Sequence, residues 1–556
     1  MEIKHLTPGL SVAAQVTTAD LQTIKDRGFK AVICNRPDGE GADQPTFVEL
    51  EKAAKKLGIA MHYMPVKPGI ILDPDIDAFR AALTALPGPV LGFCRTGMRT
   101  TTLWSLSQGR TADLAQILAV TKAAGFDMGG VVRRIANGGT TPTDTTDASY
   151  DIVIVGAGAA GIAAAASLKA RDETLDIAII DPADIHYYQP GWTMVGGGIF
   201  QPAKTAKTMG SLIPKGVHWI KAAVAAFEPA NNVIILEGCR VIGYKRLVVC
   251  PGIKLDWHKI DGLSETLGKH GVTSNYRYDL APYTWELVQG LKQGRAIFTQ
   301  PPMPIKCAGA PQKAMYLSGD AWVRRGVLKD IDIQCNTSGG VLFGIKDYVP
   351  ALMEYVAKYD ATLNYFHTLV AVDGPAKKAW FDVAKPDMPV ERIETDFDMM
   401  HVCPPQTAPD FIRVSPLADA AGWIDVDQAT LRHKTYDNIW SLGDVMNAPN
   451  AKTAAAARMQ APVVANNIIA DIQGKEAISQ YNGYGSCPLT VERGKIVLAE
   501  FGYGGVLLPS FPTGLLDGTK ATRAAWFLKE KILPPVYWKA MLKGREWLAK
   551  PQKIKP

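Results

Sequence analysis

Residues 150–181 read YDIVIVGAGAAGIAAAASLKARDETLDIAIID, and this stretch decides the fold. Ile152 to Val155 is a continuous β-branched run, the pattern of a parallel strand buried on both faces. Gly156, Gly158 and Gly161, with Ala159 and Ala160 between the last two, spell G-x-G-x-x-G. The first glycine makes the tight turn, the second lets a pyrophosphate approach the backbone, and the third packs helix on strand. The helix expected over Ala163–Leu168 presents its N–H groups and positive end to that pyrophosphate. A second strand, Leu175–Ile180, ends on Asp181, twenty residues beyond Gly161, where an acid can accept from a ribose hydroxyl. Strand, loop, helix, strand and acid in this order specify a dinucleotide-binding unit.

The chain has 556 residues, room for three or four domains at about 150 residues each. Hydrophobic residues make up 47% and the mean hydropathy is +0.01, as in a well-cored soluble protein. No apolar run reaches the 18 or so residues a spanning helix needs. The start, MEIKHLTPGL, has neither a signal-peptide nor a transit-peptide pattern, so a cytoplasmic location is expected. From Thr519 to Pro556 ten Lys/Arg face two acids, a local +8 that exceeds the whole-chain +6. The body is slightly acidic, and no nucleic-acid surface is implied. The eight cysteines contain no C-x-x-C pair, which argues against a zinc ribbon and a secreted disulfide framework. No metal site is expected.

Residues 1–136 alternate short strands and helices. Ala31–Cys34 and Val90–Phe93 read as buried strands. Thr46–Leu57 reads as a helix, as does Asp73–Leu86 with Asp73 as N-cap and Pro74 at the first helical position. The second strand runs into Cys94-Arg95-Thr96-Gly97-Met98-Arg99-Thr100 and a helical segment, Thr101–Gln108. A thiol there lies in a cup of backbone N–H groups closed by Arg99, a setting that favours the thiolate. The loop CRTGMRT has C-x4-R spacing and resembles that of rhodanese-type sulfurtransferases; tyrosine and dual-specificity phosphatases need the wider C-x5-R. The surrounding LSVAAQVTTADL and CNRPDGE resemble a small bacterial phosphatase-like family, with Asp38 where such an enzyme would hold its general acid. Loop size favours sulfur transfer over dephosphorylation. Cys34 reads as buried and inert. Residues 137–149, NGGTTPTDTTDAS, read as a flexible linker.

Beyond Asp181 the motifs point to a flavin. Strand Arg246–Cys250 ends at Pro251-Gly252, resembling the second flavin-binding strand of flavoproteins with two dinucleotide-binding domains. YDNIWSLGD, ending on Gly443-Asp444, is similar to their strand-then-Gly-Asp motif. That resemblance implies FAD, with Asp444 on the ribityl chain and the helix beginning near Lys452-Thr453 aimed at the flavin. A glutathione-reductase-like enzyme needs a cysteine pair soon after G-x-G-x-x-G, and no cysteine lies between Gly161 and Cys239. The strand Ala296–Thr299 runs into Gln300-Pro301-Pro302-Met303-Pro304, where prolines replace the glycines a nicotinamide pyrophosphate would require.

PIKCAGAPQK, NTSGGVLFGIKDY (Asn336–Tyr348), VSPLADAAGWIDVD (Val414–Asp427) and GSCPLT (Gly485–Thr490) together resemble the eukaryotic-type sulfide:quinone oxidoreductases, from about Tyr150 to Leu548. The resemblance implies that Cys307 and Cys487 face the flavin and bridge through sulfur. Hydrosulfide would attack that disulfide or its trisulfide form, leaving a persulfide on Cys307 while Cys487 delivers two electrons to FAD. A small acceptor (glutathione, sulfite or sulfide) would take the sulfane sulfur, and a quinone the electrons. Cys250, Cys239 and Cys335 read as packing residues, and whether Cys403, in HVCPP, has a redox part is left open. The segment Ala371–Thr395 reads as a hairpin without chemistry.

A strand is expected over Lys495–Tyr503, with Phe501 and Tyr503 as walls of a quinone pocket. Two helical pieces separated by Pro534-Pro535 follow, rich in Trp, Leu and Lys, a composition suited to the membrane interface. The expectation is therefore an α/β chain: a phosphatase-like domain (1–136), a linker (137–149), an FAD-dependent oxidoreductase of two Rossmann-like domains (150–490, the second about 255–400), and a C-terminal strand with amphipathic helices (491–556), peripheral on the inner face of the plasma membrane. A homodimer is open. The competing functions are an NADH:quinone-type flavin reductase with a tyrosine-phosphatase-like domain, and a non-catalytic flavoprotein that senses redox state.

Overall fold

The computed structural model describes residues 1–41, 44–67, 71–140, 147–237 and 240–554. The chain forms two units: Met1–Ser149 with Ala222–Tyr244 and Asp410–Ala418, and Tyr150–Lys221 with Lys245–Pro409 and Asp419–Pro556.

In the first unit a five-stranded sheet runs in the order Ile3–Thr7, Leu10–Ala13, Val90–Phe93, Ala31–Cys34, Ala60–Tyr63. Only the first pair is antiparallel. The central strands are apolar at every position because helices cover both faces. Their side chains alternate between two cores: Ala31, Ile33 and Val90 join Phe79 and Leu103 on one side, while Val32, Cys34, Leu91 and Phe93 join Leu21 and Ile24 on the other. Cys34 thus faces core, and burial pushes its thiol up to about 11.

The helix Phe47–Lys56 lies within its expected bounds. The next spans Asp73–Ala85, with Leu72 rather than Asp73 at the cap and Pro74 one place further in. The reason is Asp75, whose carboxylate reaches back 2.7 Å to accept from the Leu72 N–H; Asp73 instead pairs with Arg134 at 2.8 Å. The unit also contains the antiparallel strands Val224–Glu228 and Val233–Leu236. The expected linker falls partly on residues 141–146, outside the described residues, as does Cys239.

The second unit opens with a sheet of Val217–Ile220, Ile177–Ile180, residues 150–155 of the strand Ala148–Val155 and residues 245–249 of the strand Val241–Val249, with Ile439–Ser441 parallel to the last. The strands of the 150–181 stretch pair in parallel, Ile152 opposite Ile177. A second, wholly parallel sheet follows the order Val272–Thr273, Met399–His401, Gly294–Gln300, Ile331–Thr337, Thr362–Tyr365. These are the two Rossmann-like sheets. The segment read as a hairpin is a three-stranded antiparallel meander, His367–Asp373, Lys378–Val383 and Glu391–Asp396. Its third strand is charged and largely exposed, so it carries no apolar signal.

Gly485–Glu492 and Lys495–Phe501 form an antiparallel hairpin. The tail then folds as Arg523–Phe527, a wide helical turn Leu528–Ile532, and Leu533–Lys539. Pro534 and Pro535 do not separate two pieces; they occupy the first turn of the last, where a missing N–H costs no intrahelical bond. Trp526, Tyr537, Trp538, Met541 and Leu542 are buried, whereas Phe527, Ile532, Trp547 and Leu548 are exposed. Most of the apolar face expected to meet lipid therefore packs within the protein. Among the described residues no helix is long and apolar enough to cross a membrane.

Candidate functional site

The dinucleotide cradle follows from glycines that nothing larger could replace. Gly156 sits at φ +100°, and a Cβ there would lie 2.6 Å from the Cys250 oxygen. At Gly161 a Cβ would lie 1.8 Å from the Gly156 oxygen, so turn and helix touch backbone to backbone. Gly158 faces open space instead, directly before the helix Ala159–Arg171, which begins four residues earlier than the apolar run suggests. That is where a pyrophosphate meets free N–H groups. Asp181 ends its strand with Oδ2 accepting from Ala157 N–H at 2.7 Å and Oδ1 from Ala183 N–H at 2.8 Å. The carboxylate is fixed at the height of the loop, with lone pairs left for ribose hydroxyls.

Two further turns complete the cradle. Gly252, at φ +81°, also faces open space. Gly443 N–H donates to Gln460 Oε1 at 2.8 Å, and burial raises the Asp444 carboxyl above its ordinary range. The Lys452 ammonium donates to Asp444 O and Met446 O at 2.6 and 2.9 Å, and burial brings it down to about 8. Thr453 caps the helix Ala454–Ile472 by accepting from Ala456 N–H. The open space at Gly158, the acid at the strand end and the buried carboxyl beside a helix N-terminus fit the pyrophosphate, ribose and ribityl parts of FAD.

Beside this cradle two cysteines meet. Cys307 lies on the loop after Gly294–Gln300 in a left-handed conformation, φ +52°. Its N–H donates to Lys452 O at 2.8 Å, tying it to the cradle. Cys487 lies on the hairpin strand opposite Ala499. Their Sγ atoms, 180 residues apart in sequence, are 3.4 Å apart. Gly309 makes the approach possible, since a Cβ there would lie 2.6 Å from Cys487 Sγ.

The electrostatics single out one sulfur. Lys313, on the first turns of the helix Ala310–Arg325, donates to Cys307 Sγ at 3.0 Å. The bond from Cys487 and the Lys313 charge hold the Cys307 thiol well below its ordinary range, against burial. Cys487 is raised, because its proton lies against the Cys307 sulfur and it is buried. The pair therefore shares one proton, with the negative charge at Cys307. Burial would lower Lys313, but the two sulfurs outweigh it and raise it. Lys529 is 3% exposed and donates to Pro190 O at 3.0 Å; burial, then Lys313's charge, bring it down to about 7. Lys306, bonded to Gln189 Oε1 at 2.6 Å, falls to about 8 by burial. Sequence reasoning missed these lysines and Gly309, although Lys313 stands six residues past Cys307 within the quoted PIKCAGAPQK.

Phe501 shares an apolar cluster with Cys487, and Cys403 shares one with Cys307. Phe501 packs edge-on against Phe343 at 6.0 Å between ring centres. Tyr503 donates to Gln428 O at 2.7 Å. Cys250 and Cys335 are buried, as is Cys403, whose thiol burial pushes up to about 12.

In the first unit Cys94 Sγ accepts from Gly97 N–H at 3.2 Å. Gly97, at φ +87°, caps a helix that starts at Met98 rather than Thr101. Arg99 is thereby inside the helix, and the hydrogen bonds of its fork go to an acid and a carbonyl. It grips Glu40 at 2.7 and 2.8 Å and Val66 O at 2.9 Å. Asp38 is likewise committed, accepting from Phe47 N–H at 2.9 Å at the start of a helix. Glu40, bonded to Arg99 and 3.5 Å from Arg36, is the acid that organises this loop, and no spacing rule marks it.

Residues 2–111 match the family model described as "Beta-lactamase hydrolase-like protein, phosphatase-like domain", and residues 150–284 match "Pyridine nucleotide-disulphide oxidoreductase". The mitochondrial sulfide:quinone oxidoreductase of Dictyostelium discoideum is 41% identical over 402 residues, 72% of this chain and 87% of that protein. The beta-lactamase hydrolase-like protein of Xylella fastidiosa is 32% identical over 134 residues, 24% of this chain and 31% of that one. The crystal structure of the Aquifex aeolicus sulfide:quinone oxidoreductase shares the fold, with a TM-score of 0.59 at 19% identity over 71% of this chain and 92% of that one.

Proposed function

From the premise that the chain belongs to the sulfide:quinone oxidoreductase family, we propose that it oxidises sulfide at the Cys307–Cys487 pair and passes the electrons through FAD to a quinone. The observation that carries this reading is the 3.4 Å approach of two sulfurs with a lysine 3.0 Å from one of them. That separation exceeds a disulfide bond of about 2.05 Å, so the two cysteines are in the reduced form.

In the oxidised form the two sulfurs are joined. Hydrosulfide attacks the Cys307 sulfur, the S–S bond breaks, and Cys487 leaves as the thiolate while Cys307 keeps the persulfide. The Lys313 ammonium draws the anion to Cys307 and holds the persulfide's charge. The persulfide formed still carries the hydrosulfide hydrogen, and Lys529, poised near neutrality, takes up that proton as the persulfide ionises. A thiol, sulfite or second sulfide removes the sulfane sulfur, and closure of the Cys307–Cys487 bond releases two electrons. Gly156, Gly158, Gly161, Asp181, Gly252, Gly443, Asp444 and Lys452 would hold FAD, which when bound would supply the two-electron sink and the path to the quinone.

In this reading residues 1–136 carry sulfur, with Cys94 as the receiving nucleophile; residues 150–490 oxidise sulfide; and residues 491–556 face the inner surface of the plasma membrane, giving a lipid-soluble quinone access. The exposed Phe527 and Ile532 support that last placement. Stopped-flow mixing with sulfide tests the core reading. The flavin band should bleach with sulfide in the wild type and stay oxidised in Cys307→Ser and Cys487→Ser. Bleaching by NADH but not by sulfide would replace it with the flavin-reductase reading.

A further inference from the structure

Lys529 apart, the strongly basic C-terminal stretch is not used by sulfide chemistry, yet part of it lines a pocket of about 550 Å³ in the second unit. Lys207 lies on the strand Ala206–Thr208 and Ser211 just after it, while Trp538, Lys539, Lys543 and Arg545 come from the tail. Four cations thus converge from two distant parts of the chain. None of them forms an ion pair among the described residues. Glu546, the acid next to them in sequence, is bound to Arg171 at 2.6 and 2.9 Å. Lys207 lies 4.6 Å from the Trp538 ring centre, and Trp538 is anchored 5.8 Å from His186. The pocket shares no residue with the dinucleotide cradle.

Uncompensated positive charge gathered in a concavity calls for an anion, and an arginine fork among lysines suits phosphate oxygens. The chain continues directly from Arg545 to Trp547 and Leu548, which are 62% and 77% exposed. An exposed indole beside a cationic pocket is the arrangement that sits at a bilayer interface. We propose that this pocket binds the phosphate of an anionic phospholipid headgroup while Trp547 and Leu548 enter the acyl boundary beside it. This deepens the peripheral-membrane reading by assigning it a defined headgroup site rather than a diffuse charge.

Co-sedimentation of the full-length holoenzyme with phosphatidylglycerol-containing and pure phosphatidylcholine vesicles tests it with two charge-matched variants. At about one factor of five per basic residue near the surface, Lys543→Gln/Arg545→Gln should weaken binding to the anionic vesicles about 30-fold. Lys550→Gln/Lys553→Gln, outside the pocket, should weaken it less than threefold. Sulfide-dependent flavin bleaching should be unchanged in both, which separates this proposal from the catalytic reading. Equal losses in the two variants would reduce the pocket to general electrostatics and overturn it. So would pyrophosphate protecting residues 538–545 from hydrogen exchange with vesicle binding unaffected, which would make it a site for a soluble phosphate compound. Failure of the wild type to bind either vesicle would remove both this site and the membrane placement.

Discussion

Lys313 and Lys529 serve the same pair of sulfurs with opposite tendencies. Lys313 is held charged by the sulfurs, whereas Lys529 is pushed toward neutrality by burial and by Lys313. In Lys313→Met, the pH midpoint for Cys307 alkylation by iodoacetamide should move alkaline by about one unit or more, because a cation that favours the thiolate is gone. Lys529 has a stability signature of its own. Its folded value of about 7 lies below the ordinary 10.5, so in that window the unfolded chain binds the extra proton. Stability from this group rises as pH climbs from about 7 to 10.5 and is lowest below 7. Thermal unfolding across that range should rise less steeply in Lys529→Met than in the wild type; parallel curves would remove Lys529 from the buried charges. The cysteines themselves were legible through family resemblance, and Lys313 stood in plain view in the same motif. Lys529 was not, because a lysine in a lysine-rich tail reads as solvent-facing, and only tertiary packing carries it to the sulfurs.

Elements were most legible where one local rule dominates. Ala31–Cys34 and Val90–Phe93 agree with the structure to the residue because a short apolar run closed by Lys30 and Asn35 in one case, and by Pro89 and the Cys94 loop in the other, admits little else. The helix after Cys94 was read three residues late, since Gly97's left-handed turn lets the helix begin inside the loop. That shift takes Arg99 from a loop position into a helix and toward Glu40. The strand Glu391–Asp396 was invisible because its stabilisation is cross-strand pairing, as in Arg392 with Asp382. Two substitutions probe the cradle at this scale. Gly161→Ala should yield folded protein purified largely without FAD, read from the ratio of flavin to protein absorbance, because its Cβ meets the Gly156 carbonyl. Thr453→Ala, removing the cap of Ala454–Ile472, should cost about 1 kcal/mol, measurable as a lower midpoint in chemical denaturation.

For the molecule as a whole, the linker composition marked the boundary near residue 149, but not the return of residues 222–244 and 410–418 to the first unit. That grouping is made by contacts between segments far apart in sequence, which no local window contains. Two units with separate cysteine sites should be separable in function. Cys94→Ser should leave sulfide-dependent flavin bleaching within twofold of wild type. It should abolish the persulfide adduct of about 32 Da on the N-terminal peptides after turnover. Rapid hydrolysis of an aryl phosphate without that adduct would assign the first unit to phosphatase chemistry. The placement of Cys487 on a paired strand carries a consequence of its own. Strand side chains obey parity and the turn after Glu492 sets the register, so a single-residue insertion between Cys487 and Thr490 would turn the thiol to the opposite face while the ladder could re-form. A descendant bearing that one change would still fold and still glow yellow with bound cofactor, yet be chemically silent toward sulfide.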